Sequence, residues 1–449
     1  MVGIRQIFAL TALIALALTA PSYSQDAQKT NDAVDVAAKV ATDPPPSVGE
    51  LIDEKIQDFI DKSGFGARER RGELFVLHGT APINLPASNP DWVKAREIAY
   101  ADALIEAQAA FVAERFTFQT TNTVKDFYKA GTDEPPPYID GRSTNGAVTV
   151  LRKLLGVVNG KLDKQLLDMG IDPKEYAKAP EPQKTALLTN HLKIQNIKKS
   201  FGDMIGLLPV MTFEANDGAH NFRVGVVAVV SSSMKDFAKQ VLSAQGGFQP
   251  NSERAQDLTK LYADKKQLLS DFGVRRLYDE RGLPVIVSFA QWGSSYSGTD
   301  AAMAATYEDA ARRQAEAVAD GQISDFLAAN VAYSDTSEVG QEQDRIASSL
   351  PDTVSTAETV KIVDALTRTI KRTSSAKITG LHTLYQWTGR HPASKTPIIG
   401  VIRIWSASAE QAIRGLDSPK KADDAASPSA TKGTPGVTQG RQLMNKDDF

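Results

Sequence analysis

The stretch ELFVLHGTA, residues 73–81, and the alanine-rich stretch from Asp91 to Phe116 that follows it decide the fold predicted for this chain. The first has the β-branched and aromatic residues of a strand, and the second has small residues at helical spacing. The same order returns in PVIVSFAQW, residues 284–292, and in a second alanine-rich stretch from Thr299 to Ala328. The sequence therefore predicts the unit of strand, loop and helix twice.

The two predicted helices align at a shift of 207 residues. This shift matches small, aromatic and acidic residues in the same order, placing Ala95, Tyr100, Asp102 and Ala103 on Ala302, Tyr307, Asp309 and Ala310. Small residues at this spacing form a narrow stripe that lets a helix lie close to a sheet, with the two tyrosines at its margin.

Each unit is also predicted to end in a β-hairpin. In the first unit, residues 211–213 lead through the turn signal at 216–218 into a Val-rich strand at 222–231. In the second unit the corresponding strands are residues 381–387 and 398–406. A shift of 175 residues places Gly225 on Gly400 and Ser231 on Ser406. The two shifts differ by 207 − 175 = 32 residues, which indicates an insertion in the first unit.

The sequence thus predicts an α+β protein of two similar domains, each a small, mainly antiparallel sheet packed on an alanine-rich helix. The first domain is expected at 49–247, with a helical insertion at 117–208 whose helices run from Val148 to Met169 and from Lys184 to Ile205. A connecting helix is expected at 248–280, because leucines at 258, 261, 268 and 269 are spaced for one apolar face. The second domain is expected at 281–416, with a helix from Thr356 to Arg372 before its hairpin.

Both ends of the chain are predicted to lie outside the fold. Residues 1–24 have the layout of a cleavable signal peptide, with Arg5 before an apolar run from Ile7 to Ala20 and small residues before the expected cleavage after Ser24. An uncleaved anchor is the alternative, although the run is shorter than the roughly 20 residues that cross a bilayer. The polar, proline-containing stretch 25–48 is expected to be a disordered tether, and 417–449 a disordered tail.

Composition excludes several classes of protein. The 449 residues carry a formal charge of −3, which gives no field for binding nucleic acid. The chain has no cysteine, so acylation as a lipoprotein, disulfides and thiol chemistry are excluded. No further stretch is long and apolar enough to span a membrane. Together with the signal peptide, these features predict an exported, periplasmic protein with no integral membrane span after cleavage.

The sequence offers no catalytic, cofactor-binding or metal-binding set of residues. The five histidines show no metal-ligand spacing, and His391 falls in a turn where solvation explains it. The loop Gly293–Gly298 lacks the Gly-x-Ser-x-Gly spacing of a nucleophile elbow, so we interpret it as a strand-to-helix loop. No glycine-rich nucleotide cradle is present. Pairing on a helix surface explains acids such as Asp309 beside Arg312.

Large aromatic residues concentrate around the strands of the second unit. The candidate partner-binding residues are Trp292, Tyr296, Tyr385 and Trp387. Core filling is the favoured interpretation of the same residues and a partner-binding patch the alternative, since aromatic side chains dominate both cores and interfaces.

The helix signature AREIAYADALIEAQ, Ala95–Gln108, and its weaker copy AATYEDAARRQAEA, Ala304–Ala317, resemble a module of exported bacterial envelope proteins. These are the lipoprotein-20 family and flagellar proteins associated with the T-ring. The whole chain is also similar to secreted bacterial proteins of unknown function. The missing lipoprotein cysteine and the insertion depart from the module.

The expected function is therefore a non-enzymatic interaction or assembly protein of the periplasm, as a component of a motility, secretion or conjugation machine. Its expected partners are envelope proteins or further copies of the chain, with no cofactor. The alternative is a periplasmic hydrolase of an envelope polymer, which a cleft between the domains with pKa-shifted carboxylates would favour.

Overall fold

The computed structural model describes residues 46–131, 163–168, 170–217, 221–242, 248–294, 298–335, 356–373 and 380–410, with isolated positions at 137, 139, 147, 149–151, 153, 296 and 345. The predicted signal peptide and tail lie outside the described residues, as does the predicted tether up to residue 45.

The first half contains three strands and seven helices among its described residues. In chain order these are α1 (Val48–Ser63), α2 (Phe65–Arg70), β1 (Leu74–Pro82), α3 (Trp92–Gly131), α4 (Asp163–Asp168), α5 (Pro173–Lys178), α6 (Glu181–Asp203), β2 (Leu208–Asn216), β3 (Phe222–Ser231) and α7 (Ser232–Leu242). The helices α4, α5 and α6 lie between α3 and the hairpin, so the predicted helical insertion is present.

The second half follows two 3₁₀ turns, Ser252–Arg254 and Leu258–Tyr262. Its elements are α8 (Lys265–Leu268), β4 (Gly273–Tyr278), β5 (Pro284–Gly293), α9 (Ala301–Asp335), α10 (Thr356–Thr373), β6 (Leu381–Arg390) and β7 (Pro397–Ser406). The predicted helix before the second hairpin is thus confirmed as α10.

The two sheets have the same core topology. The first has the order β1-β3-β2 and the second the order β4-β5-β7-β6, and all neighbours are antiparallel. Leaving out β4, each sheet consists of the strand before the long helix, then the last strand of the hairpin, then the first. The α+β fold of two similar units is therefore confirmed.

The two hairpins share an irregularity in strand pairing. In the first hairpin the register shifts between Pro209 and Met211, and in the second it shifts between Thr383 and Tyr385. Met211 lies opposite Val227, and Tyr385 lies opposite Ile402, which is 175 residues further on than Val227. A bulge at the same place in both hairpins supports the duplication independently of residue similarity.

The predicted shift of 207 residues between the helices is wrong by about one helical turn. Gly79 lies opposite Val226 and Ala290 lies opposite Val401, so the strands before the helices correspond at a shift of 211. Ala302 and Ala310 are exposed, whereas their assigned counterparts Ala95 and Ala103 are buried. Alanine recurs so often in both helices that registers one turn apart match nearly equally well.

Tyr100 and Tyr307 are likewise not equivalent. Tyr100 is buried in the core and stacks on Phe272 with ring centroids 6.0 Å apart, whereas Tyr307 is 39% exposed near the start of α9. The first ten residues of α9 are almost all exposed, so this end of the helix extends beyond the sheet.

The predicted connecting helix at 248–280 is wrong. Asp257 and Asp264 accept hydrogen bonds from the backbone N–H groups of Thr259 and Lys266, each at 2.9 Å, and so begin separate short turns. Gly273 then takes a φ of 75°, and the residues after it pair with β5 as the edge strand β4. The leucine spacing is typical of a helix, but these leucines lie on consecutive short turns, from which Leu261 and Leu268 are buried and Leu258 and Leu269 are partly buried.

The helix α1 has no counterpart in the predicted elements. A reciprocal capping box begins it, in which Ser47 Oγ accepts from the N–H of Glu50 and the Glu50 carboxylate accepts from the N–H of Ser47. Ile52 and Ile56 of this helix lie on Gly225, where an added Cβ would come within 3.0 Å of both side chains. In the second half Trp387 lies on the corresponding Gly400.

The two halves share one hydrophobic core. A single cluster of buried side chains includes Ile52 and Phe213 of the first half together with Val287 and Ile402 of the second. The helix α3 contacts β1 and β3 of its own sheet and also β5 of the other. Among the helices of the described residues, none combines the length and hydropathy needed to cross a membrane.

Candidate functional site

A cavity of about 420 Å³ lies where the two halves meet. The first half lines it with α3 and the start of β2, and the second half with β4, β5 and α9. Most of its wall is apolar, with side chains that include Ile98, Leu104, Pro209, Val274, Trp292 and Phe326. Its size and character are those of a small-molecule site, since such sites are concave, apolar and carry few polar groups.

Glu97 is the buried acid in the wall of this cavity. Glu97 is 6% exposed, and its Oε1 accepts a hydrogen bond of 2.7 Å from the backbone N–H of Gln291. Oε2 is buried and has no hydrogen-bond partner among the described residues. Burial raises the pKa of Glu97 to about 8, although the Gln291 hydrogen bond and the charge of Arg96 oppose the rise. The carboxyl group is therefore protonated at neutral pH.

The position of Glu97 follows from the helical repeat of α3. Val93, Tyr100 and Leu104 lie at positions −4, +3 and +7 relative to Glu97, so Glu97 occupies a place on the apolar face where a hydrophobic residue would be expected. Glu97 lies inside the helix signature Ala95–Gln108 and is not among the site residues predicted from the sequence. An acid on the buried stripe of a helix is the signal that identifies it.

A buried polar cluster lies on the other side of α3, formed by Arg96, Glu214, Gln291 and His391. Arg96 Nε donates to Glu214 at 2.7 Å, Nη1 donates to Gln291 Oε1 at 2.9 Å, and Nη2 donates to the carbonyl of Leu269 at 2.9 Å. Arg96 is 1% exposed. These bonds join α3 and β2 of the first half to the second half, and Gln291 links the cluster to Glu97.

The charges of this cluster are balanced. Burial alone would raise the pKa of Glu214, but the charge of Arg96 and the hydrogen bonds from His391 and Arg96 outweigh it and lower the pKa to about 2. Burial lowers the pKa of His391, so its imidazole is neutral at pH 7. Nε2 lies 2.8 Å from Glu214 and Nδ1 lies 3.2 Å from the backbone N–H of Ser394, which assigns the proton to Nε2.

The prediction that His391 is solvated is wrong. The residue is 5% exposed, and its ring lies 4.6 Å from that of Trp92. It follows β6 in the turn before β7, but the loop folds onto α3, because Glu214 and Trp92 offer a hydrogen-bond acceptor and an aromatic face. The sequence predicts the turn, but it does not show that Glu214 and Trp92 lie beside His391.

Two further cations lie near the cavity. Lys94 contributes to its wall. Arg275 on β4 is buried, donates to the carbonyl oxygens of Phe272 and Val274 at 2.9 Å, and interacts electrostatically with Tyr100. The charge of Arg96 is balanced by its ion pair with Glu214, and Asp325 lines the cavity as well as Lys94.

The four candidate partner-binding aromatics do not form one patch. Trp292 is half-buried and lines the cavity, whereas Tyr296 lies outside its wall, beside Tyr307 with ring centroids 5.4 Å apart. Tyr385 is half-buried and stacks on Tyr262 at 4.3 Å. Trp387 is 5% exposed and fills the core over Gly400. Partner binding by these residues stays a prediction, and Trp292 is the member that reaches the cavity.

The outer edge of the first sheet is covered by carboxylates. On the edge strand β1, the backbone N–H groups of Val76 and Thr80 donate to Glu69 at 2.9 Å and to Glu106 at 2.8 Å. Acceptors at these positions block pairing with a further strand. The edge of β1 is therefore unsuited to assembly by strand addition.

Metal-ligating side chains do not gather in the part of the chain that the structure describes, where no group of three His, Asp or Glu residues has suitable geometry. The predicted pairing of acids on helix surfaces is confirmed at Asp309, which accepts from Arg312 at 2.6 Å. Asp102, its counterpart in the alignment by 207 residues, is exposed on α3.

Comparison with known proteins finds a matching family and a solved structure of similar fold. Residues 147–243 match a family described as Domain of unknown function (DUF6844), and no curated protein matches the chain. The crystal structure of a hypothetical protein from Francisella tularensis superposes with a TM-score of 0.52 at 23% identity, covering 82% of this chain and 93% of that one. This likeness shows the shared fold. The resemblance to the lipoprotein-20 and T-ring-associated proteins stays a prediction.

Proposed function

We propose that this chain is an exported, non-enzymatic binding protein of the periplasm, and that an apolar group of another envelope component occupies the cavity between its halves. The observation that carries the proposal is a cavity wall that is mostly apolar and contains the buried, protonated Glu97. A cavity with a mostly apolar wall favours binding by burial of apolar surface.

The arrangement of the acids favours binding over catalysis. Glu97 Oε1 is engaged by the backbone of Gln291. Glu214 is held ionised by Arg96, and both ring nitrogens of His391 are engaged. A general base must reach the proton that it removes. Glu214 and His391 are instead bonded to each other across the contact between the halves.

The compartment and the assembly role rest on the sequence. The signal-like residues 1–24 support export, and the absence of cysteine from the chain supports a protein that is not a lipoprotein. A reporter fused after Ser24 should be found outside the cytoplasm, and its retention inside would contradict the proposal. Envelope proteins and further copies of the chain remain the proposed partners, as parts of a motility, secretion or conjugation machine.

Crosslinking in intact cells tests the cavity as the binding site. A photoreactive amino acid replaces Ile98, which lines the cavity and is 51% exposed, and the matched control replaces Leu167, which is 62% exposed and is not part of the cavity wall. We expect a defined crosslinked product from position 98 that is absent at position 167. Equal products from both positions would contradict binding in the cavity.

One observation favours hydrolysis of an envelope polymer as a second candidate. A glutamate with a raised pKa is a suitable general acid, and Asp325 lines the same cavity. Hydrolysis requires that the purified chain releases soluble fragments from isolated envelope polymer and that Glu97→Gln abolishes the release. Binding without release would exclude this candidate.

A further inference from the structure

We infer that the occupant of the cavity is an acyl chain whose carbonyl oxygen accepts a hydrogen bond from the carboxyl group of Glu97. This inference rests on the proposed function, because it requires the cavity to be a binding site. It adds the chemical class of the ligand and its orientation, with the acyl carbonyl at α3 and the hydrocarbon along the apolar wall.

The first step is the hydrogen-bonding capacity of Glu97. Oε1 already accepts from the Gln291 N–H, whereas Oε2 is buried without a partner among the described residues. A protonated carboxyl group carries one O–H donor, and a buried donor without an acceptor costs about 1–3 kcal/mol. A ligand oxygen that reached Oε2 would remove that cost, so the site favours a hydrogen-bond acceptor.

The second step is the charge around the acid. Arg96 precedes Glu97 on the same helix and acts on its carboxyl group, Arg275 is buried on β4, and Lys94 lines the cavity. Arg96 is paired with Glu214, and Asp325 lines the cavity as well as Lys94, so the charges around the cavity are mixed. The protonated carboxyl group offers no charge to an ammonium group, so an alkylamine would first have to ionise Glu97 and is the less favourable ligand.

The third step is the size and character of the space. A volume of about 420 Å³ corresponds to about 14 groups of water-like size, at roughly 30 Å³ each. Apolar side chains such as Ile98, Leu104 and Phe326 supply most of the wall, and the polar residues Lys94, Gln108, Gln322, Asp325 and Thr367 also line it. A ten-carbon acyl chain fits within the space and can lie along the apolar part of the wall.

Displacement of the apolar fluorophore N-phenyl-1-naphthylamine from the purified full chain tests the inference. The competitors are methyl decanoate, decanoic acid, decylamine and decane, which share a ten-carbon chain and differ at its end. We expect both carbonyl compounds to displace the dye at concentrations at least fivefold lower than decane and decylamine. The stronger of the two carbonyl compounds identifies an esterified or a free acyl chain as the source.

Variants of Glu97 give the decisive comparison. Glu97→Gln keeps an acceptor for the Gln291 N–H and a donor for the ligand, so we expect carbonyl compounds to bind within about twofold of the parent chain. Glu97→Leu removes the donor, and we expect about fivefold weaker binding of methyl decanoate with unchanged binding of decane. Decylamine binding that exceeds methyl decanoate and disappears in Glu97→Gln would overturn the inference.

A blocking variant separates the two proposals. Ala101 lines the cavity and is exposed, so Ala101→Trp should fill the space without changing the core. If Ala101→Trp leaves dye binding unchanged, or if the parent chain binds no dye, the cavity is not the site and the proposed function fails. If Ala101→Trp abolishes binding but all four competitors act equally, the cavity stands and the acyl inference fails.

Discussion

At the scale of single residues, Glu97 and Glu214 show how neighbours set the charge of a buried acid. Both lie at the contact of the two halves, where burial by itself would raise the pKa of each. Glu214 also has a direct ion pair of 2.6 Å with Arg96, so it is ionised, whereas Glu97 has only a backbone donor and stays protonated. One of these acids therefore holds the halves together, and the other gives the cavity its polar group.

Replacement of Arg96 tests the first role. In Arg96→Leu the carboxylate of Glu214 loses its cation inside the protein, and we expect the free energy of unfolding to fall by about 3 kcal/mol or more. Arg312→Leu is the matched control, because that arginine pairs with Asp309 on an exposed helix face. Its loss should lower the free energy of unfolding by less than about 1 kcal/mol. Urea denaturation measures both, and equal losses would contradict a structural role for the buried pair.

Stability against pH tests the protonation of Glu97. The pKa rises from 4.5 to about 8 on folding, so between these values the unfolded chain loses a proton that the folded chain keeps. The free energy of unfolding then falls by up to about 1.4 kcal/mol per pH unit from this group, and the loss is complete above pH 8. Glu97→Gln cannot ionise and should lack this contribution.

Thermal unfolding of both proteins measures the difference. As pH rises from 5 to 8.5, we expect the free energy of unfolding of Glu97→Gln to increase relative to that of the parent chain by about 2 kcal/mol or more. A constant difference between the two across this range would show that Glu97 is ionised in the folded protein at neutral pH.

At the scale of elements, the close approach of β1 to α3 depends on a glycine. A Cβ added to Gly79 would lie 2.3 Å from the carbonyl oxygen of Ala103 and 2.6 Å from the backbone nitrogen of Ala107. Ala103 and Ala107 are both fully buried, so neither the strand nor the helix can move away without opening the core. The alanine stripe that the sequence showed therefore has its partner in the strand.

Substitution of this glycine is predicted to separate strand and helix. Gly79→Ala should lower the free energy of unfolding by about 2–3 kcal/mol through overpacking. Gly202→Ala on α6 is the control, because an added Cβ would meet nothing within 4 Å, and it should stabilise the chain by about 0.5–1 kcal/mol. Chemical denaturation of the two variants measures both changes, and a harmless Gly79→Ala would show that the helix does not lie this close.

At the scale of the whole molecule, the shared core determines how the protein unfolds. Buried residues of both sheets form one cluster, and Arg96 and Gln291 bond across the contact between the halves. Neither half can lose its structure without exposing apolar surface of the other. We therefore expect a single cooperative transition, although the sequence predicted two domains.

Two spectroscopic signals test this cooperativity. Three of the four tryptophans, Trp292, Trp387 and Trp405, belong to the second half, whereas far-UV circular dichroism reports the helices of both halves. The two signals should give coincident unfolding curves, and Gly79→Ala in the first half should shift both by the same amount. Separate transitions, or a shift of circular dichroism alone, would show that the halves unfold independently.

The sequence by itself determined the strands and helices that depend on local pattern. The Val-rich strands, the helix α10, both hairpins and the matching of Gly225 with Gly400 follow from alternation, turn residues and helical spacing. The prediction failed at 248–280, where the carboxylates of Asp257 and Asp264 accept hydrogen bonds from nearby backbone N–H groups and favour short turns over the helix that the leucine spacing predicts. It also misaligned the long helices, because repeated alanines do not fix a register.

Only the tertiary structure decided the site. The sequence shows Glu97 only as a helix residue, whereas in the structure β5 brings the backbone N–H of Gln291 to one of its oxygens and the other is buried without a hydrogen-bond partner among the described residues. His391 is an ordinary turn residue until Glu214 of the other half reaches it. The pKa of each group depends on burial and on charges supplied by distant parts of the chain, and no local pattern carries that information.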